Sequence, residues 1–307
     1  MQNTVRTSTS FKGKGLHSGK PATVTVSPAP CYHGISFKRT DVEVGDKIIP
    51  ARWDAVVEAE LCTRLANKTG LEVSTVEHLM AALAGCGIHN ALITIDGPEV
   101  PILDGSSAHF VRGILTGGIQ RQSAPAVAYE VLKEVRVQDG DSYATIVPAN
   151  RLLIDFEINF RDQAIGRQKK TISLTNGAFA RELCDSRTFC RQADVSAMQA
   201  KGLALGGQAG ENAVVFDGDS VLSPGGLRYP DEPVRHKMLD ALGDLALAGA
   251  PLLGHYTGVC AGHALTNRLL RKLFTTPDAV RMIRCDRDVT ARLPGYGLNQ
   301  SEVPAVA

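Results

Sequence analysis

Apolar and polar residues alternate in ATVTVSP (Ala22–Pro28), which predicts a strand with one buried face. The run STVEHLMAALAG predicts a helix, with Ser74 as its N-cap and Gly85 at its end. ALITIDG (Ala91–Gly97) then reads as a buried strand and SSAHFVRGIL (Ser106–Leu115) as a second helix. GGIQRQSAPAV (Gly117–Val127) has no apolar period and marks a linker. Beyond it, VAYEVLKEVRVQ, SYATIVP and LLIDFEINF predict strands. Helices are expected around Ala178–Cys184 and Ala193–Ala200, and a strand at Ala213–Asp217. Glu232–Ala248 carries the strongest helical pattern, followed by a strand near Leu252–Tyr256 and a helix from His263 to Phe274. Both halves run strands, then helices, with a strand near the end. The pattern predicts an α+β fold in two domains of similar topology. Domain I is expected over residues 1–120 and domain II over 126–298, with a disordered tail at 299–307.

Composition narrows the function classes. The 307 residues are 44% hydrophobic and 21% charged, which argues against global disorder. Lys and Arg number 33 against 32 Asp and Glu, a net charge of +1, so no global field collects nucleic acid or an anionic membrane. Aromatic residues make up only 5% and form no basic–aromatic stripe, so no nucleic-acid partner is expected. The seven cysteines are scattered with no C-x-x-C pair, which predicts free thiols in a reducing cytoplasm rather than disulfides or a thiolate zinc finger. The first residues lack the apolar core of a signal peptide. Leu245–Asn267 contains no Asp, Glu, Lys or Arg, but Gly249, Pro251, Gly254, Gly258 and Gly262 punctuate it. That punctuation predicts loop and strand, not a spanning helix.

Three segments carry candidate chemistry. In the helix EPVRHKMLDALGDL, residues His236, Asp240 and Asp244 stand at i, i+4 and i+8 and share one stripe. An imidazole and a carboxylate four apart suit a divalent metal, or else form a His–Asp contact on a polar face. The apolar neighbours Met238, Leu239, Leu242 and Leu245 make a buried partner for the stripe necessary. Glu77 and His78 read in two ways. Ser74-x-x-Glu77 fits a capping box, whereas a metal ligand beside a carboxylate fits metal-assisted hydrolysis. His263, at the start of a helix, would need a nearby carboxylate such as Asp244 to stay charged against the helix dipole. Two further motifs are weaker. GKGLHSGK (Gly13–Lys20) has the spacing of neither a P-loop nor a dinucleotide fingerprint and reads as a glycine-rich hairpin. Thr188, in SRTFC, has a hydroxyl that could donate to an oxyanion.

Taken in order, G-x-G-L-H-S-G, S-T-V-E-H-L-M-A-A-L, D-G-P-E-V-P-I-L-D-G-S, R-T-F, H-K-M-L-D-A-L-G-D-L and G-H-A-L-T-N form a specific set. The set closely resembles the UDP-3-O-acyl-N-acetylglucosamine deacetylases, zinc enzymes of lipid A biosynthesis. The resemblance runs from about Val5 to Asp286. It implies two domains of β-α-α-β arrangement, with helices sandwiched between two sheets and a small insert in each. The second insert, within Thr188–Gly210, would form a passage for an acyl chain.

The resemblance also implies roles. His78, His236 and Asp240 would hold Zn2+, with Fe2+ an alternative in the cell. Three protein ligands leave a position open, as catalytic sites do. Glu77 would be the general base. His263, oriented and charged by Asp244, would stabilise the oxyanion or protonate the leaving amine. Thr188 would help hold the oxyanion, Lys237 would meet negative charge on the substrate, and Phe189 and Phe160 would line its site. A cysteine, here Cys62, is expected near the metal. The expected reaction releases acetate from UDP-3-O-(3-hydroxyacyl)-N-acetylglucosamine. The expected state is a cytoplasmic monomer that meets membranes only in passing. Two segments depart from the family. Cys190 stands where many members have glycine, and Asn159-Phe160-Arg161-Asp162-Gln163 replaces a frequent D-F-x-H-P. Competing readings are an amidohydrolase for another acylated sugar, and a nucleotide-sugar- or lipid-binding protein with a structural metal. The latter would have no use for a general base or acid.

Overall fold

A computed structural model describes residues 1–305. The first half forms a five-stranded sheet in the order Thr9–Lys14, Pro21–Pro28, Ala91–Ile95, Ile35–Arg39, Ile48–Pro50. Helix α1 spans Glu77–Gly85 and α2 spans Ala108–Gly117, with Ala91–Ile95 between them. The second half contains α3 (Ala178–Glu182), α4 (Gln192–Ala200), α5 (Glu232–Ala246) and α6 (His263–Thr275). Five strands of its seven-stranded sheet follow the order Val135–Asp139, Ser142–Pro148, Leu252–Val259, Leu152–Asn159, Arg167–Ser173.

The two sheets have one topology. In each, an N-terminal hairpin supplies two strands. The strand after the first long helix then inserts between the hairpin and the next strand, antiparallel to the former and parallel to the latter. The duplication expected from the strand–helix rhythm is therefore present, although no residue repeat displays it. The β-α-α-β order describes the stacking of layers, sheet on helices on helices on sheet. Along each half a strand separates the two helices.

Alternation holds in the strands that lay one face on the core. In Pro21–Pro28 the residues Ala22, Val24 and Val26 face inward, and in Leu152–Asn159 the residues Leu152, Ile154, Phe156 and Ile158 do. Between the sheets α1 packs on α5, and both join a single apolar core. Every α1 residue except Ala84 is buried, so this helix has no solvent face. The close crossing depends on Gly243, where a Cβ would lie 2.0 Å from the Glu77 carbonyl oxygen. That oxygen is backbone and cannot swing away. Gly243→Ala is therefore expected to destabilise the chain by about 3 kcal/mol or more, at the upper end of overpacking costs. Urea denaturation checks this, and an equally stable variant would contradict the crossing.

Several expectations need correction. Ser74 is not a helix cap; it ends the strand Glu72–Ser74 and its hydroxyl donates to the Pro98 carbonyl. The Gly117–Val127 segment is not wholly a linker. Its Ile119–Arg121 pairs with Asn3–Val5, so the chain start is stitched to the join between halves. Arg167–Ser173 and Val280–Arg284 were not expected as strands. The first is an edge strand whose Arg167 and Lys169 face solvent while Lys170 turns the other way and pairs with Asp231, a run of charge that hides the apolar signal. The tail is held as far as described. Glu302 pairs with Arg181 at 3.0 Å, Val303 is buried, and the Pro304 carbonyl accepts from Arg112. Residues 306 and 307 lie outside the described residues. The uncharged stretch 245–267 resolves into the end of α5, a strand and the start of α6. No helix among the described residues is long and apolar enough to cross a membrane.

Candidate metal centre

The α1–α5 crossing brings the motif residues together. His78 comes from the first turn of α1, and His236 and Asp240 come from successive turns of α5. One ligand atom from each lies within 4.8 Å of the others, and all three residues are buried. Asp240 Oδ1 is 3.4 Å from His78 Nε2 and 3.3 Å from His236 Nε2. Yet Asp240 Oδ1 has no hydrogen-bond partner among the described residues. The two imidazoles stand nearly perpendicular, 5.0 Å between centroids. Donors aimed at a common point rather than at one another are what a cation requires, and an unpaired buried carboxylate oxygen is otherwise costly.

The protonation states agree. Burial pushes His236 down to about 3, so its ring is neutral. Its Nδ1 lies 2.9 Å from the Ser186 carbonyl oxygen, which places the proton there and leaves the Nε2 lone pair facing the centre. Burial alone would raise Asp240. The nearby His236 and Lys237 override it and hold the carboxylate well below its ordinary range. Lys237 Nζ donates to Asp240 Oδ2 at 3.1 Å, on the side away from the imidazoles.

A second cluster adjoins this one. His263, at the start of α6, has Nδ1 2.9 Å from Asp244 Oδ2 and Nε2 3.8 Å from Glu77 Oε1. Burial lowers the His263 pKa, but Asp244, Glu77 and Asp240 together lift it to about 10. Glu77 is raised, with burial the main cause. Thr63, which the motifs did not single out, braces both carboxylates. Its hydroxyl donates to Asp244 Oδ1 at 2.5 Å and its backbone N–H to Glu77 Oε2 at 3.1 Å. Nothing in LCTR distinguishes this threonine, because its partners lie 14 and 181 residues away. The preceding Cys62 is buried beside Glu77, and burial pushes its thiol up to about 12, so it stays protonated.

The capping-box reading of Glu77 does not hold, since its carboxylate bonds Thr63 and Ser74 is not the N-cap. The glycine-rich hairpin also acquires a purpose. The backbone N–H groups of His17 and Ser18 donate to the Glu99 carboxylate at 2.8 and 2.7 Å, where a phosphate loop would keep them free. Glu99 also accepts from the Thr75 hydroxyl at 2.8 Å, which ties the hairpin to the start of α1.

The remaining candidates lie on the His236 side of the centre. The segment Ser186–Phe189 passes His236, with the Phe189 ring 6.3 Å from its ring. Thr188 is fixed there by backbone bonds of 2.8 Å to Gly105 and Val214. Lys237 Nζ lies 5.7 Å from the Phe189 centroid, and Phe160 meets Phe189 edge-on at 5.6 Å. Phe189–Arg191 starts a three-stranded sheet with Val214–Asp217 and Ser220–Val221, so this small unit extends past Gly210. Both departures from the family fall on it. Cys190 lies in the Phe189–Arg191 strand. Asp162 pairs with Arg191 of that strand and accepts from the Gly218 N–H at 3.2 Å.

Comparison with known proteins gives one answer. The sequence profile of the LpxC family, described as UDP-3-O-acyl N-acetylglycosamine deacetylase, matches residues 2–275. A protein named UDP-3-O-acyl-N-acetylglucosamine deacetylase from Anaeromyxobacter sp. (strain Fw109-5) is 47% identical over 295 residues, 95% of each chain. A protein of the same name from Phenylobacterium zucineum (strain HLK1) is 48% identical, covering 92% of this chain and 96% of its own. Another, from Shewanella woodyi (strain ATCC 51908 / MS32), is 44% identical over 94% of both.

Proposed function

The chain belongs to the UDP-3-O-acyl-N-acetylglucosamine deacetylase family, and from that membership we propose that it hydrolyses the acetamide of UDP-3-O-(3-hydroxyacyl)-N-acetylglucosamine at the α1–α5 crossing. The products are acetate and UDP-3-O-(3-hydroxyacyl)-glucosamine, an early step of lipid A biosynthesis. The observation that carries this reading is the convergence of ligand atoms from His78, His236 and Asp240, beside Glu77 and the His263–Asp244 pair.

In this reading His78, His236 and Asp240 hold a zinc ion. When bound there, the ion would supply Lewis acidity to the acetamide carbonyl and to the attacking water. Glu77 takes the proton from that water. Its Oε2 is fixed by the Thr63 N–H, which leaves Oε1 for the proton. His263 starts the cycle as an imidazolium, held so by Asp244, and its Nε2 faces Glu77. It stabilises the developing oxyanion and then protonates the leaving amine. Asp244 positions His263 through Nδ1, and Thr63 positions Asp244. The Thr188 hydroxyl adds a second donor to the oxyanion. Lys237 meets negative charge on the substrate, and Phe189 and Phe160 flank it. Residues 1–120 and 126–298 act as two domains, the first contributing α1 and the second α5 and α6 to the centre, and the chain works as a cytoplasmic monomer.

Acetate release from the acylated UDP-sugar tests the proposal. Chelation should abolish release, and zinc should restore it, with ferrous iron added in parallel to compare the two metals. No release from folded, zinc-loaded protein would overturn the substrate assignment. Release that survives chelation would overturn the metal's role.

A further inference from the structure

The helices that carry the candidate metal ligands share a second face. Met80, Leu83 and Ala84 of α1 and Leu242, Leu245 and Ala246 of α5 wall a cavity of about 290 Å³ between the two halves. None of the metal ligands lines it, nor do Glu77, Asp244, His263 or any residue of the Phe189–Val221 unit. It is therefore separate from the candidate catalytic centre and from the expected acyl passage. Tyr32 and Met282, both strongly exposed, mark its rim.

The lining dictates what fits. Among the described residues it contains no Asp, Glu, Lys or Arg. Its side-chain amides are already engaged. Gln2 Oε1 accepts from Asn90 at 2.8 Å and from the Tyr32 N–H at 2.9 Å, and Gln2 Nε2 donates to the Pro125 carbonyl. Asn90 Oδ1 accepts from the Gly34 N–H at 2.8 Å, and its Nδ2 also donates to Gln122. His89 differs. Burial pushes it down to about 4, so the ring is neutral. Its Nδ1 accepts from the Asn3 N–H at 3.0 Å, which places the ring proton on Nε2 as a donor. A charged guest would lose its hydration here without an ion partner. Water needs several polar partners, and these amides offer few. Apolar cavities of about 150 Å³ stay dry and take up benzene, and this one is about twice that size.

We propose that this cavity is a binding site for an uncharged, largely apolar molecule of about two-ring bulk that carries one hydrogen-bond acceptor for His89. The proposal is independent of the deacetylase reading, because no group of that mechanism touches the cavity. The wall residues nevertheless lie on the same two helices as the metal ligands, so a guest packs against the back of the candidate centre.

The test uses 2-methoxynaphthalene, neutral with one ether oxygen, and 2-naphthoate, its anionic counterpart in size. The full-length protein is titrated by fluorescence and by protein NMR. The neutral probe should bind saturably, one per chain, and 2-naphthoate at least about tenfold more weakly. Ala84→Leu and Ala246→Leu each put a larger apolar side chain into the space. Each should weaken the neutral probe at least about tenfold and keep or raise the melting temperature, since a void is filled. Chelated and zinc-loaded protein should bind the probe alike. No saturation up to the probe's solubility would overturn the proposal. So would equal binding of the anion, or unchanged binding by folded filled variants.

Discussion

Glu77→Gln is expected to lower kcat by about 10²–10⁴-fold, the usual contribution of a positioned general base, while the protein keeps its metal and its fold. The substitution keeps the size of the side chain and removes only its capacity to take a proton. Glu77 is buried, and its Oε2 accepts from the Thr63 N–H. A glutamine oxygen can keep that bond. Because Glu77 does not cap α1, the helix loses only the small interaction of a first-turn carboxylate with its dipole, at most about 1 kcal/mol. The carboxylate is also not one of the three convergent ligands. Metal content by elemental analysis and thermal melting should therefore match the parent. Equal loss of metal and activity would make Glu77 structural, and unchanged turnover would remove it from the mechanism.

The pH profile gives the same residue a second readout. Glu77 must be ionised to accept a proton, so activity rises as pH climbs through its pKa. Burial raises that pKa. A cation on the adjacent ligands opposes burial and favours the ionised form at neutral pH. His263 must be protonated, so activity falls as pH rises through its pKa, which its carboxylate neighbours lift to about 10 and an adjacent cation would bring down. The parent profile should be a bell whose limbs belong to the coupled pair. Glu77→Gln should flatten the acid limb of the residual activity and move the alkaline limb to lower pH, because Glu77 is one of the carboxylates that lift His263.

Much of this centre was legible in the chain because it is built on helical periodicity. His236, Asp240 and Asp244 had to share a stripe whatever the fold, and apolar neighbours required that stripe to be buried. Which residues faced it was not legible from periodicity. The partners come from α1, about 160 residues away, and motif resemblance alone joined them to α5. The bracing groups escaped altogether. Thr63 acts through one backbone N–H and one hydroxyl, and Glu99 holds a loop through backbone amides. Such contacts leave no pattern in a sequence. Gly243 was equally silent, since a glycine within a helix does not announce the backbone it lets approach. In the strands, alternation worked where one face meets the core and failed at Arg167–Ser173, where the edge presents charge on its open side.

His236→Ala should empty the centre. With the imidazole gone, Asp240 Oδ1 keeps only His78 Nε2 as a neighbouring ligand atom. Two donors do not make a catalytic zinc site, which uses three from the protein. The Asp240 carboxylate keeps Lys237, which already donates to Oδ2 at 3.1 Å. Loss of an outer partner typically costs 10–100-fold in metal affinity or activity. Loss of a direct ligand should exceed the upper end of that range, about 100-fold in both quantities. Stability in the absence of metal should fall by only about 2–3 kcal/mol, because the change leaves a cavity beside Phe189 but strands no new charge. Asp240→Asn probes the same centre without a cavity and should also lose metal, since a neutral amide binds a dication far less strongly than a carboxylate. Dialysis against a buffered trace of zinc, followed by the metal-to-protein ratio, separates loss of metal from loss of fold. Full metal occupancy in both folded variants would remove His236 and Asp240 from the ligand set. Metal lost by both, with Glu77→Gln still occupied, would separate the residues that hold the ion from the one that moves the proton.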